Sequence, residues 1–183
     1  MKFFCFGHLE YFYFHNCVYE KIWKNNNRRH SEYLETENLF RTYSKNTKLI
    51  FIANPNNPTG SFVELDELLD FLEKVPADII VLLDQAYFDY SSFETRDANF
   101  DILKKFPNLV MSRSFSKAYG LAGFRVGFSV SSEDIANYLN RVRQPFNANS
   151  LALYAAEKAL EDDEYMNCLL YTSPSPRDVE EYR

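Results

Sequence analysis

Two short apolar runs constrain this chain more than any other feature. Leu49 to Ala53 (LIFIA) and Ile79 to Leu83 (IIVLL) are apolar throughout and rich in β-forming side chains, as expected of strands covered on both faces inside a parallel sheet. Parallel strands need a crossover, and the sequence supplies one. Leu65, Leu68, Leu69 and Leu72 recur at three- and four-residue spacing with acids between them, the stripe of a helix packed on one side. Ser61 and Glu64 form an S-x-x-E pattern that predicts a capping box at the start of that helix. In the loop before it, Asn54 to Gly60 (NPNNPTG), two prolines restrict the backbone and the asparagines can bond locally. The unit is therefore strand, rigid loop, helix.

The pattern continues. Leu109 to Met111 and Phe124 to Val130 (FRVGFSV) predict further strands. Ser131-Ser132-Glu133-Asp134 opens a helix from Ile135 to Arg143 that Pro145 ends, and Asn149-Ser150 begins an Ala-rich helix from Leu151 to Glu161. Strands alternating with helices predict an α/β layered sheet, whose ligands bind beyond the carboxyl ends of the strands. Asn57, Asp84 and Lys117 each lie just past such an end. An isolated Asp after a strand is usually a turn or cap residue, but three polar groups placed alike in successive units can meet in one crevice.

Lys117 has unusual company. Ser114 and Ser116 precede it, Gly120, Gly123 and Gly127 follow, and Arg125 lies eight residues on. Small hydroxyls and exposed amides approach phosphate oxygens closely, and a guanidinium pairs with them through two hydrogen bonds. An anion beside a reactive amine suggests a cofactor held as a Schiff base. A plain surface lysine in a turn is the competing reading of SxSK alone. Arg113 and Arg143 read as solvated arginines.

Composition removes other classes. A net charge of -6 gives no basic footprint for nucleic acid or an anionic membrane, and no apolar run approaches the length of a membrane span. The opening residues, interrupted by His8, Glu10 and His15, make a poor signal peptide. Three cysteines without CxxC spacing argue against a disulfide framework or zinc site, so a reducing cytoplasm is expected. All three histidines fall in the first thirty residues, which leaves none in the central region for Ser-His or His-metal chemistry.

Taken together, NPNNPTG, DQAYFDY (Asp84 to Tyr90) and SRSFSKAYGLAGFRVGF (Ser112 to Phe128) resemble the signature of the class I/II pyridoxal-phosphate aminotransferases, fold type I. With VRQPFNANSLA (Val142 to Ala152) after it, the third motif is most similar to the histidinol-phosphate branch of that family. The resemblance implies a three-layer α/β/α fold with a mostly parallel sheet, the central part of the family's large domain. It implies pyridoxal 5'-phosphate as cofactor, with Lys117 as the lysine that bonds the cofactor aldehyde and shuttles a proton. Asp84 matches the carboxylate that pairs with the pyridine nitrogen, and Tyr87 and Asn57 match the partners of the ring oxygen. Ser114, Ser116 and Arg125 match the phosphate cup. The implied reaction moves an amino group between histidinol phosphate and 2-oxoglutarate/glutamate in a cytoplasmic homodimer. An aromatic amino acid aminotransferase, a phosphothreonine-type decarboxylase and a catalytically inert fragment are the alternatives.

The ends differ in texture from this central part, expected to span residues 46–167. Residues 1–45 hold the only Trp, all the His and the polar run KNNNRRH, show no strand or helix period before Glu32, and read as an atypical segment, either irregular native sequence or non-native sequence. Cys168 to Asp178 (CLLYTSPSPRD) breaks the helical pattern and resembles, residue for residue, one frame of a transposase-type sequencing adapter. Residues 168–183 are therefore expected to be a non-native tail. The family's ring-stacking segment and its C-terminal small domain are not recognisable, so the chain reads as the middle of such an enzyme.

Overall fold

A computed structural model describes residues 2–7, 46–91 and 98–172. Most of the atypical segment, residues 8–45, and the end of the adapter-like tail, residues 173–183, lie outside them.

Among the described residues, five strands form one sheet: β1 (Lys2–Gly7), β2 (Leu49–Ala53), β3 (Ile80–Asp84), β4 (Leu109–Ser114) and β5 (Val126–Ser131). Their spatial order is β1-β5-β4-β3-β2. β2, β3 and β4 pair in parallel, and β5 runs antiparallel to both β4 and β1. Only β5 therefore opposes the common direction, and the sheet is mixed and mostly parallel. The strands at both sequence-predicted apolar runs are present, the second one residue later than read. The strand β1 was not foreseen. Its aromatic-rich sequence KFFCFG suits an extended chain, and β5 offers it an edge to pair with.

Register decides which side chains become core. Ile50 lies opposite Val81, Ile52 opposite Leu83, Leu83 opposite Met111, and Met111 opposite Val130. This one face buries all of them. Helices α1 (Leu65–Lys74) and α2 (Ile102–Lys105) cover it with Leu68, Phe71, Leu72, Ile102 and Leu103. Two more helices, α3 (Glu133–Val142) and α4 (Ser150–Leu160), follow β5, and α4 sets Ala152 and Ala156 against Val126 and Phe115. The other sheet face carries Phe51, Leu82, Asp84, Val110, Ser112 and Ser129, by the two-residue alternation of strands. No helix among the described residues is long and apolar enough to cross a membrane.

Two local expectations differ from the structure and a third agrees with it. The capping box does not form: α1 starts at Leu65, with Glu64 as a cap residue that makes no side-chain bond. Ser61 is already engaged, its hydroxyl with Thr59 and its carbonyl with the Asn56 amide at 2.9 Å. Asp66 and Glu67 in the first turn complement the helix dipole instead. The α4 cap is as read, with Asn149 accepting a bond from the Ala152 amide at 2.8 Å. Beyond it, α5 (Asp163–Thr172) buries Met166 and runs straight through Cys168. The break in helical pattern expected at Cys168 is absent, since Cys, Leu, Leu and Tyr are all compatible with a last helical turn.

Phe71 is fully buried between α1 and the sheet. Phe71→Ala is expected to lower unfolding stability by about 3–5 kcal/mol, read as a fall in the urea midpoint with little change in far-ultraviolet circular dichroism before the transition.

Candidate active site

Parallel pairing brings the carboxyl ends of β2, β3 and β4 to one edge, where Ala53 lies opposite Asp84 and Asp84 opposite Ser112. Backbone bonds continue past the strands: the Asn54 amide donates to the Asp84 carbonyl at 2.9 Å and the Gln85 amide to the Ser112 carbonyl at 2.8 Å. The antiparallel β5 begins at this same edge, with Gly127 opposite Ser114. Every sequence-predicted site residue thus stems from one end of the sheet.

The loop after β2 is pinned at its base. Asn54, buried, donates from Nδ2 to the Val63 carbonyl and accepts the Val63 amide at Oδ1, both at 2.8 Å. Asn56 bonds Thr59 at 2.7 Å, and the peptides before Pro55 and Pro58 are both cis. Asn57 is thereby held at the tip, where its Nδ2 donates to the Tyr87 hydroxyl at 2.6 Å.

Asp84 closes β3 and is buried. Its Oδ1 accepts the Ala86 amide at 3.1 Å and lies 3.5 Å from the Ser112 hydroxyl. The turn that follows carries Tyr87, and the Lys117 ammonium sits 5.0 Å from the Tyr87 ring centroid, within the range of a cation–π contact. Asn57, Tyr87 and Lys117 are therefore neighbours, with Asp84 at the root of the same turn.

The lysine loop is a closed connection from β4 to β5. Phe115 and Ala118 are buried and anchor it, which leaves Lys117 exposed between them. The Leu121 amide returns to the Phe115 carbonyl at 2.9 Å, and Gly120 turns the chain at φ +68°, a conformation glycine adopts without steric cost. The Tyr165 hydroxyl of α5 covers Gly120 and would meet a β-carbon there at 2.9 Å. Ser114 Oγ accepts the Ser116 amide at 3.0 Å, so these two serines face one turn. Arg125, exposed and left-handed at φ 55°, donates from Nη1 to the Ala122 carbonyl at 2.5 Å. The structure gathers Asn57, Tyr87 and Lys117 by contact, whereas Arg125 shares their sheet edge without touching them.

Arg113 differs from the solvated arginine expected. It is half-buried on β4, with its guanidinium 4.8 Å from the Phe88 ring and 4.7 Å from the Phe100 ring, and its Nε donates to Gln85 Oε1 at 3.2 Å. It ties β4 to the turn that bears Asp84 and Tyr87. Strand alternation carries the signal, because Arg113 follows Leu109 and Met111 on the core side. Arg143 is exposed as read, bonded to Asn140 and Asn147. Motif reading also passed over Asn54 and Tyr165, whose roles depend on contacts distant in sequence.

Tyr90 ends the turn, its ring 6.4 Å from that of Tyr87. Burial pushes its phenol above the ordinary value of 10.0, Tyr165 adds to the rise and Lys117 opposes it. A phenol whose folded value exceeds its unfolded value contributes stability that is complete below pH 10 and lost as pH rises through the folded value. Alkaline titration of phenolate absorbance is expected to show one group ionising late, absent in Tyr90→Phe.

Comparisons with known proteins bear on this site. Residues 19–173 match the family model described as aminotransferase class I and II. Histidinol-phosphate aminotransferase 2 of Haemophilus influenzae (strain 86-028NP) is 54% identical over 132 residues, covering 72% of this chain and 36% of the relative. Histidinol-phosphate aminotransferase 1 of Mannheimia succiniciproducens is 56% identical over the same extent. The chain thus spans about a third of the length of the curated relatives it matches. Among solved structures, histidinol-phosphate aminotransferase from Sinorhizobium meliloti in complex with pyridoxal-5'-phosphate aligns with TM-score 0.66 at 32% identity, covering 75% of this chain and 36% of that one. L-threonine-O-3-phosphate decarboxylase from Porphyromonas gingivalis aligns with TM-score 0.61 at 31% identity, covering 70% and 40%. With its matched fold, its strand-end site and a family match over most of its length, the chain belongs to the class I and II aminotransferases.

Proposed function

We infer that this chain carries the cofactor-binding centre of a pyridoxal-phosphate transaminase that passes an amino group between histidinol phosphate and 2-oxoglutarate/glutamate, in the biosynthesis of histidine. The observation that carries the reading is the meeting of an amine, a phenol and an amide, Lys117, Tyr87 and Asn57, beside the buried carboxylate of Asp84. That donor set fits pyridoxal 5'-phosphate: an amine for its aldehyde, an acid for its ring nitrogen and a paired hydroxyl and amide for its ring oxygen. The names of the relatives at 52–56% identity support the substrate.

When bound, the cofactor supplies a ring that accepts an electron pair from the substrate. The protein side is then positioning and proton transfer. Lys117 Nζ holds the cofactor and moves a proton, tasks suited to an amine whose affinity for protons falls readily in a dry site. Asp84 keeps a proton on the ring nitrogen by staying ionised, aided by the Ala86 amide at its Oδ1. Tyr87 and Asn57, already bonded to each other, orient the ring from one side. Ser114, Ser116 and Arg125 hold the phosphate, for which Arg125 retains N–H donors beyond the one given to Ala122.

A decarboxylase acting on phosphothreonine is the second reading, favoured by the Porphyromonas gingivalis neighbour, and an aromatic amino acid as amino donor is a third. Carbon dioxide release without glutamate consumption would select the decarboxylase, and transfer from an aromatic amino acid in preference to histidinol phosphate would select the third reading. A chain that neither colours with pyridoxal phosphate nor fixes it under borohydride would be an inert piece. We also infer a cytoplasmic homodimer. Support for the dimer is the exposure of four apolar side chains between the end of α3 and the first turns of α4, Val142, Phe146, Leu151 and Tyr154, with Phe146 97% exposed. Exposed apolar clusters of this kind mark association surfaces.

Borohydride is expected to fix pyridoxal phosphate covalently to the parent chain, and Lys117→Ala is expected to abolish that attachment. In a full-length version, Asp84→Ala, which strands a buried pyridinium, should cost about 3–5 kcal/mol, or roughly two to four orders of magnitude in turnover if all of it falls on the transition state. Tyr87→Phe should cost about 1–3 kcal/mol, and equal losses in the two variants would contradict the assigned roles. For the dimer, Phe146→Asp should shift the sedimentation coefficient from dimer to monomer, and an unchanged dimer would place the interface elsewhere.

A further inference from the structure

Behind Asp84 lies a polar row that no motif predicts. Asp84 on β3 is the register partner of Ser112 on β4, and Ser112 is the partner of Ser129 on β5. All three are buried, at 7%, 3% and 3% exposure. The Ser112 hydroxyl is 3.5 Å from Asp84 Oδ1. The Ser129 hydroxyl is buried with no hydrogen-bond partner among the described residues, an arrangement that normally has a reason. Serines opposite each other on neighbouring strands are close enough to bond. A hydroxyl donates one bond and accepts two, so Ser112 can donate to Asp84 while accepting from Ser129.

We propose that Ser129 and Ser112 form a two-hydroxyl chain across the sheet that backs the Asp84 carboxylate and holds it ionised. The chain needs the Ser129 hydroxyl, which bonds nothing among the described residues, to rotate toward its register partner Ser112, and its purpose, keeping an anion opposite a protonated pyridine nitrogen, rests on the pyridoxal phosphate reading. Hydrogen bonds donated to a carboxylate favour its charged form, and successive bonds polarise one another. Among the described residues, the charged or titratable groups on the elements around Asp84 are Tyr87, the buried Asp89 and Tyr90 on its own turn, Arg113 on β4 and Lys117 on the loop after β4. β2 contributes Ala53 at the matching position and β5 contributes Ser129. Arg113, adjacent to Ser112, points to the opposite face and is engaged with Gln85, Phe88 and Phe100. The two hydroxyls are therefore the neutral donors that a substitution can remove without altering charge.

Ser112→Thr and Ser112→Val match in shape and suit a strand equally, but only the first keeps a hydroxyl. In the 183-residue chain, the Asp84 carboxyl signal is followed by carbon NMR against pH and identified by its loss in Asp84→Asn. The midpoint is expected to rise by about one pH unit in Ser112→Val and to stay near the parent value in Ser112→Thr; Ser129→Val should rise less than Ser112→Val does, with Ser129→Thr near the parent value as its control. In parallel, Ser112→Val should bind pyridoxal phosphate more weakly than Ser112→Thr as the pH falls through the Asp84 midpoint, by up to about tenfold for a one-unit shift. Valine and threonine variants that fold alike and titrate alike overturn the hydroxyl chain. If the Ser112 pair fails to fold, the Ser129 pair decides by the same criterion. A split titration with unchanged cofactor affinity overturns the stated purpose, and a split titration in a chain that binds no cofactor overturns the pyridoxal phosphate reading while leaving the hydroxyl chain in place.

Discussion

Everything at this site depends on the register of three parallel strands. Asp84 faces the acid side of the sheet only because Leu83 and Val81 face the core, where they meet Ile52, Ile50, Met111 and Leu109. A slip of one residue in β3 would put the carboxylate into the apolar core and Leu83 into the crevice. Burying an unpaired carboxylate there costs far more than the lost packing, so the core that fixes the fold also fixes the chemistry. The same ladders set the starting points of the three loops that carry Asn57, Tyr87 and Lys117.

From those points the loops are held by polar contacts. Asn54 clamps one loop with both ends of its amide, Arg113 stacks on two rings and reaches Gln85, and Phe115 with Ala118 roots the lysine loop. Each tie fastens a neighbour of a functional residue and leaves Asn57 and Lys117 exposed. That division suits a site that has to admit a ligand, because the geometry is set before anything binds.

Much of this was legible in the sequence because the signals are local. Apolar runs gave β2 and β3, the leucine spacing gave α1, and the residues beside the strand ends gave Asn57, Asp84 and Lys117 as one crevice. What escaped were features decided by partners far along the chain. Ser61 looks like a cap until Thr59 and Asn56 occupy it, and Arg113 looks solvated until Phe88 and Phe100 close around it. KFFCFG has too little context to be placed until β5 offers an edge. The continuity of α5 through Cys168 was missed for the opposite reason, since resemblance of the following letters to an adapter outweighed ordinary helix propensity.

The contact of Tyr165 with Gly120 makes the two positions unequal in what they permit. A side chain added at residue 120 would strike only the tip of a tyrosine, which can swing aside, yet φ +68° would still burden any L-residue there by roughly 1–2 kcal/mol. Shrinking Tyr165 therefore does not license a larger residue at 120. Over many generations position 165 can drift while position 120 cannot follow, so the lysine turn tolerates variety in the helix that covers it but not in its own backbone.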